Sequence, residues 1–311
     1  MSGTDDGLWT RVHELIDEAR PADLEFHRLA GIAASRLRAQ GRPVPAELVD
    51  AEARGLAAAV MAPTAIERVV ELLDTPVLVL KGPVLAALYP HDHQRGYLDL
   101  DLVVADATAS QRVLLANGAE YSFDEGAPAD GHHERELMLP GLPISLELHH
   151  FPSWPRTGSP PQAAELLDLA RAAADLPAGA LALPPAEHAV IVAAHSWGHR
   201  PLRRVRDLLD VALLMAAADR DDAARAAERW HVTRIWNTTL ATIESLFGDE
   251  GAPRTLPLRT WARNLPSVRK RSLAETTLEH ATAQFWATNP IQAGRMGASK
   301  LGTAVRRRTL S

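Results

Sequence analysis

The spacing of hydrophobic residues changes twice along the chain and divides it into three parts. From about residue 8 to residue 73, apolar positions recur every three or four residues, which predicts helices. The clearest apolar face consists of Leu24, Leu29, Ile32, Ala33 and Leu37. Pro43 and Pro45 separate two helical stretches, and Pro63 marks a possible break inside the second. We therefore predict an N-terminal helical region over residues 1–74.

Strands are predicted after residue 75, where the spacing first changes. Val77–Leu80 is a continuous apolar run of the kind found in buried strands, and Leu98–Val104 predicts a second strand. A helix is predicted over residues 106–117. Further strand candidates follow it at residues 120–123, 134–139 and 143–150. Residues 75–152 form the predicted α/β core.

The second change follows the last strand candidate, where prolines break the chain. These are Pro152, Pro155, Pro160 and Pro161, and they make the stretch the best candidate for a linker. Beyond them the whole pattern is helical, which predicts a C-terminal helical domain over residues 160–311. Together the three parts predict an α+β protein.

Composition narrows the chemistry and the partners. The 311 residues are 46% hydrophobic, which is enough for a sizeable core. The absence of cysteine excludes disulfides and thiolate chemistry, so a metal would need oxygen or imidazole ligands.

A net charge of −6 argues against a nucleic-acid partner. The acidic N-terminus is unlike a signal peptide and no apolar run is long enough to span a membrane, so we expect a cytoplasmic protein with no membrane partner. The many alanines and arginines favour a bacterium with a GC-rich genome.

Two aspartates in the second predicted strand are the first candidates for catalysis. Side chains alternate along a strand, so Asp99 and Asp101 point to one face while Leu98, Leu100 and Leu102 point to the core. Two neighbouring carboxylates repel each other unless a cation lies between them, and Mg²⁺ or Mn²⁺ suits such ligands. Two solvated aspartates at a strand end are the alternative.

A later strand repeats the same alternation. Ser145, Glu147 and His149 share one face, whereas Ile144, Leu146 and Leu148 face the core. If this strand neighbours the first, Glu147 is a third carboxylate near the aspartate pair. Three carboxylates are able to hold two divalent ions for in-line phosphoryl transfer. Asp99, Asp101 and Glu147 are thus the predicted metal ligands and catalytic residues.

Cationic residues upstream of the aspartates are candidates for phosphate binding. Lys81 and Gly82 lie at a strand-to-helix junction, where glycine lets a phosphate approach the backbone. Arg95, four residues before Asp99, is a second candidate, and a salt bridge is its alternative role.

These motifs, taken in order, resemble a known family. Leu80-Lys81-Gly82, then Tyr89-Pro90, then Arg95, then Asp99-Leu100-Asp101-Leu102-Val103-Val104 are similar to the uncharacterised nucleotidyltransferase family of the DNA polymerase β-like superfamily. The resemblance covers roughly residues 75–215. Two departures, the histidine-rich loop His91–Gln94 and Gly96-Tyr97, bear on substrate contacts rather than on the metal ligands.

The resemblance implies a small mixed sheet flanked by helices and a Mg²⁺-dependent enzyme. Such an enzyme would transfer a nucleoside monophosphate from a nucleoside triphosphate (NTP) donor to an acceptor, here a small molecule or a peptide. It also implies nucleotide-binding roles for His149, His195 and Asp207, beside Lys81, Gly82 and Arg95. Two other functions remain open: a non-catalytic nucleotide- or partner-binding protein of the same fold, and a metal-dependent phosphotransferase or phosphohydrolase.

Several other polar residues have competing interpretations. His195 and His199 are four residues apart on a predicted helix, which allows core packing, cleft lining or a separate metal site. Asp207 and Asp210 are typical of helix-surface partners of nearby arginines, and Asp207 is the better functional candidate through the resemblance. The loop at His132-His133-Glu134 is predicted to face solvent.

Overall fold

The computed structural model describes residues 3–122, 131–155, 159–248, 258–259 and 261–278. The helices before residue 120 are α1 (Gly3–Asp17), α2 (Pro21–Phe26), α3 (Ala30–Ala39), α4 (Ala46–Leu73), α5 (Pro83–Ala86), a 3-10 helix (Asp92–Arg95) and α6 (Ala107–Ala116). The later helices are α7 (Ala163–Leu169), α8 (Pro185–His199), α9 (Val205–Ala216), α10 (Arg220–Arg229) and α11 (Thr233–Phe247). The strands are β1 (Val77–Val79), β2 (Asp99–Val103), β3 (Glu120–Tyr121), β4 (Leu137–Leu139), β5 (Leu142–His149), β6 (Arg171–Ala172) and β7 (Ala180–Ala182).

The seven strands form one mixed sheet flanked by helices, and the α+β prediction is confirmed. Their order is β3-β4-β5-β2-β1-β7-β6. The central strand β2 pairs parallel with β5 and antiparallel with β1. Each strand candidate before residue 150 contains a strand of this sheet, and apolar residues such as Leu100, Leu102 and Leu146 are buried in its core. Phe123, at the end of one candidate, lies outside the described residues.

The long helix α4 does not break at Pro63, so this predicted break is wrong. A proline removes one backbone hydrogen bond. Here Pro63 lies on the exposed side of the helix, where water can satisfy the freed carbonyl. On the opposite side Ala62, Ala65 and Ile66 are fully buried, and their packing holds the helix in one piece.

The prediction that only helices follow residue 160 is also wrong, because β6 and β7 complete the sheet. β7 runs parallel to β1, with Val77 opposite Ala180 and Leu78 opposite Leu181. These strands have two and three residues, are rich in alanine and show no alternation, so their pairing is set by tertiary contacts rather than by local preference. The α/β core therefore includes residues from both sides of the proline-rich segment.

A third correction concerns Leu98, which is 49% exposed and precedes β2 instead of packing in the core. The helices after β7 bury many apolar side chains, α8 above all: Ala189, Val190, Ala193 and Ala194 are at most 2% exposed. Among the described residues, no helix combines the length and the hydropathy needed to cross a membrane.

Candidate functional site

The parallel pairing of β2 with β5 brings the predicted acidic residues together. Asp99 is opposite Ser145, Asp101 is opposite Glu147, and Val103 is opposite His149. Because the two strands run side by side in register, the carboxylates of Asp101 and Glu147 lie on the same face of the sheet. The condition set by the sequence, that the two strands be neighbours, is thus met.

A buried histidine joins the two carboxylates. His149 is completely buried, and its Nε2 lies 3.1 Å from Asp101 Oδ1 and 3.3 Å from Glu147 Oε2. One ligand atom from each of these three residues falls within 4.8 Å of the others, close enough to hold one metal ion. Asp99 lies two positions earlier on β2 and is half-buried at the wall of the same cavity.

The three groups shift one another's ionisation. Burial would raise the pKa of Asp101, but Lys81 and then His149 outweigh it and hold that pKa well below its usual range. Burial would likewise raise the pKa of Glu147, but the hydrogen bond from His149 outweighs it and lowers that pKa. Burial would lower the pKa of His149, but its hydrogen bonds to both carboxylates raise it. The site therefore keeps two ionised carboxylates in a buried setting.

Lys81 connects the strands to the helical part of the chain. Its Nζ lies 3.0 Å from Asp101 Oδ2 and 2.9 Å from His195 Nε2 on α8. Burial lowers the pKa of His195 far below its usual value, and the charge of Lys81 lowers it further, so His195 accepts a hydrogen bond as neutral imidazole. His199 Nε2 lies 3.0 Å from His195 Nε2, which confirms that the two histidines share one helix face.

Arg95 is buried in an ion pair, unlike an arginine that contacts phosphate at an exposed surface. It is 2% exposed, and its Nε and Nη2 each donate a 2.8 Å hydrogen bond to Asp210. Tyr89 donates a third hydrogen bond to the same carboxylate, at 2.8 Å. The surface role predicted for Asp210 is wrong, because this residue is 2% exposed and pairs with an arginine 115 positions away.

Two glycines let the segment that carries Arg95 pack closely against the N-terminal helices. A Cβ on Gly31 would lie 2.7 Å from the carbonyl oxygen of Gln94, and one on Gly55 would lie 2.8 Å from Gly96 Cα. The 3-10 helix is thus held against α3 and α4 by backbone contact. The histidine-rich loop that departs from the family pattern is part of this packed segment.

A cavity of about 580 Å³ lies between the sheet and the helical part. Of the predicted site residues, eight line it: Lys81, Gly82, Arg95, Asp99, Asp101, Glu147, His195 and Asp207. Gly82 has the positive φ of 67° that favours glycine, and it precedes α5, which is only four residues long. Asp207 accepts a 3.1 Å hydrogen bond from Ser196, which places it on the helical wall.

Sequence reasoning missed part of the cavity wall. The loop predicted to face solvent packs on the site instead: His133 pairs with His149 in an isolated β-bridge, and their rings are 5.4 Å apart. Six further arginines also line the cavity: Arg28, Arg135, Arg200, Arg203, Arg204 and Arg206. The run Arg203-Arg204-Val205-Arg206 was visible in the sequence, but its orientation toward a cavity depends on the packing of α9.

The comparison with protein families gives one match. The family described as uncharacterised nucleotidyltransferase matches residues 22–248, which span the helices α2–α4, the whole sheet and the helices through α11. A search of curated proteins gives no match. The family supports a role in nucleotidyl transfer with an NTP as substrate, and the Asp101–Glu147–His149 group has the ligand types for a metal ion. With nearly three quarters of its length matched, the chain belongs to the uncharacterised nucleotidyltransferase family.

Proposed function

We propose that this protein is a Mg²⁺- or Mn²⁺-dependent nucleotidyltransferase that transfers a nucleoside monophosphate from an NTP to a small-molecule or peptide acceptor. The observation that carries the proposal is the pairing of Asp101 with Glu147 across two parallel strands, at the wall of a cavity lined by Lys81. Membership of the family supports the same activity.

The donor set fits a hard divalent cation. Asp101 and Glu147 supply carboxylate oxygens, His149 lies within reach of both, and Asp99 is on the same strand two residues away. Asp99, Asp101 and Glu147 would hold the ion, with His149 keeping the carboxylates in place. When bound, such an ion neutralises phosphate charge and lowers the pKa of an attacking hydroxyl.

Protein groups position the donor and the acceptor. The ammonium of Lys81 is fixed between Asp101 and His195 and is half-buried, so it adds a point charge beside the carboxylates, where a triphosphate would lie. Gly82 lines the same cavity and directly precedes α5. Glu147 is the candidate base for the proton of the acceptor hydroxyl. Arg95 and Asp207 act from the wall, Arg95 mainly by fixing the segment before β2.

The first experiment is calorimetric titration of ATP, GTP, CTP and UTP in the presence of Mg²⁺. We expect one or more to bind the wild-type protein, and we expect binding to weaken at least tenfold in Asp101→Asn. Asp168→Asn, an exposed change on α7, is the matched control and should bind as the wild type does. Equal binding by Asp101→Asn and the wild type would contradict the proposal.

The product identifies the reaction. Release of pyrophosphate over a panel of acceptors supports nucleotidyl transfer. Release of orthophosphate or a nucleoside diphosphate would support the phosphotransferase or phosphohydrolase alternative. Binding without any turnover would support the non-catalytic alternative, in which Lys81 and His149 permanently neutralise Asp101.

A further inference from the structure

The helical wall of the cavity has an excess of positive charge. Among the described residues that line the whole cavity, there are seven arginines and one lysine against six carboxylates. Arg95 and Asp210 satisfy each other, and Lys81 pairs with Asp101. What remains is concentrated in Arg28, between α2 and α3, and in the segment Arg200–Arg206, between α8 and α9.

Among the described residues, Arg206 is the one arginine of this group that forms a salt bridge, at 3.8 Å from Asp207. Within the described parts of the chain, Arg28 and Arg204 form no salt bridge within 4.0 Å, and Arg204 Nε is buried without a hydrogen-bond partner. Burial lowers the pKa of Arg204 to about 10, Asp207 opposes this, and Arg28 and Arg206 reinforce it. Burial also lowers the pKa of Arg28. Holding cations in this way costs free energy unless an anion binds.

Arg206 provides a second, independent sign. It is 8% exposed, and its Nη1 donates a 2.9 Å hydrogen bond to the carbonyl of Gly96. Its Nε is buried without a partner among the described residues, and its Nη2 is still 3.8 Å from Asp207. The guanidinium is thus fixed at one end and has unused donors at the other.

The backbone around these arginines is held in place by a neutral histidine. His27 is completely buried; its Nε2 donates to the carbonyl of Arg269 at 2.9 Å, and its Nδ1 accepts from the Val205 N–H at 3.2 Å. This links Arg28, which has a left-handed φ of 58°, to the first residue of α9. Strain of this kind persists where surrounding contacts impose it, and it is common at functional sites.

We propose that Arg28, Arg204 and Arg206 form a phosphoryl-binding site that is separate from the carboxylates of Asp101 and Glu147. A phosphoryl group has up to two charges and three acceptor oxygens, which suits several converging guanidinium groups better than a single carboxylate does. The site itself does not depend on the proposed nucleotidyl transfer. The source of its ligand does depend on that function. The ligand is either the phosphates of the NTP donor or a phosphoryl group on the acceptor.

The test is calorimetric titration of inorganic phosphate and pyrophosphate into the full chain in EDTA. We expect binding by the wild type and a loss of about ten- to a hundredfold in Arg204→Gln, which corresponds to one charge-assisted interaction. Arg28→Gln should show a similar loss, and it carries the test if Arg204→Gln does not fold. Arg112→Gln, an exposed change on α6, is the matched control and should bind normally.

Either of the following two results would overturn the proposal, and a third, with an Asp101 variant, would do so too. One is the absence of phosphate and pyrophosphate binding by the folded wild type. The other is unchanged binding in both Arg28→Gln and Arg204→Gln. Because the site is metal-independent, Asp101→Asn must retain binding in EDTA, and loss in that variant would also contradict the proposal.

A second titration identifies the ligand. The phosphate binding in question is the binding that is lost in Arg204→Gln. If saturating Mg²⁺ and NTP prevent it, the site takes the donor's phosphates. If phosphate still binds to the NTP-loaded protein, the site takes a phosphorylated acceptor. If phosphate binds but no NTP does, the phosphoryl site stands and the proposed nucleotidyl transfer fails.

Discussion

At the scale of single residues, the buried pair of Arg95 and Asp210 illustrates how an ionic group serves a fold. Each is 2% exposed, and Tyr89 donates to the same carboxylate. Burial lowers and Asp210 raises the pKa of Arg95, and the net effect is a raised value. The arginine therefore remains charged, and Asp210 is the counterion that compensates for its burial.

Removing one member of this pair should be costly. We expect Asp210→Asn to lower the free energy of unfolding by about 3–5 kcal/mol, because it leaves a buried guanidinium without its counterion. Tyr89→Phe, which removes one hydrogen bond, should cost about 1–2 kcal/mol. Denaturant unfolding measures both, and an Asp210→Asn protein as stable as the wild type would show that the pair contributes little.

Two buried histidines should make stability depend on pH. Burial lowers the pKa of both His27 and His188 from 6.5 to about 4. Between pH 4 and 6.5 the unfolded state thus binds more protons than the folded state does. The contribution of each histidine is complete above pH 6.5 and is lost as the pH falls, at about 1.4 kcal/mol per pH unit.

The measurement is the free energy of unfolding from pH 4.5 to 6.5. In His188→Gln, whose amide is able to replace the donor to the Leu80 carbonyl, the slope should fall by about 1.4 kcal/mol per pH unit. His91→Gln replaces an exposed histidine and should leave the slope unchanged. Equal slopes in all three proteins would mean that His188 is not held neutral by burial.

At the scale of elements, the close approach of α3 and α4 to the 3-10 helix leads to an unusual expectation. An alanine in place of a helical glycine normally stabilises a protein by about 1 kcal/mol. Gly55→Ala should instead destabilise this one by about 1–3 kcal/mol, since its Cβ would lie 2.8 Å from the backbone of Gly96.

Arg54→Ala is the neighbouring control, because Arg54 is exposed and its change should stay within about 0.5 kcal/mol. Thermal unfolding of both variants beside the wild type decides the matter. A Gly55→Ala protein with a raised melting temperature would rule out the contact as described.

The strands also show how much of the fold the sequence predicts. β2 and β5 were predictable because hydrophobic and polar residues alternate along them, and the same alternation placed Asp101 and Glu147 on one face. β6 and β7 were not, because two or three residues are too few for a periodicity, and β1, which pairs with β7, is about a hundred residues away. The burial of Asp210 and the orientation of the arginines toward the cavity were likewise not predictable, since they depend on how α9 packs.

At the scale of the whole molecule, the sheet spans the proline-rich segment after residue 150. β7 pairs with β1, and His188 on α8 donates to the carbonyl of Leu80 at 2.6 Å. A chain that ends at residue 155 should therefore fail to unfold cooperatively, because β1 would lose a neighbour and the buried helices their partner face. Circular dichroism during heating tests this, and a sharp transition in the truncated chain would identify an independent N-terminal unit.

The contact between Arg95 and Asp210 also determines how substrates reach the cavity. Arg95 belongs to the segment before β2, whereas Asp210 belongs to α9, so the bidentate pair joins the two opposite walls. A hinge motion that separated the walls would have to break this pair and its two 2.8 Å hydrogen bonds. We therefore expect ligands to enter and leave the cavity through its existing mouth while this pair stays closed.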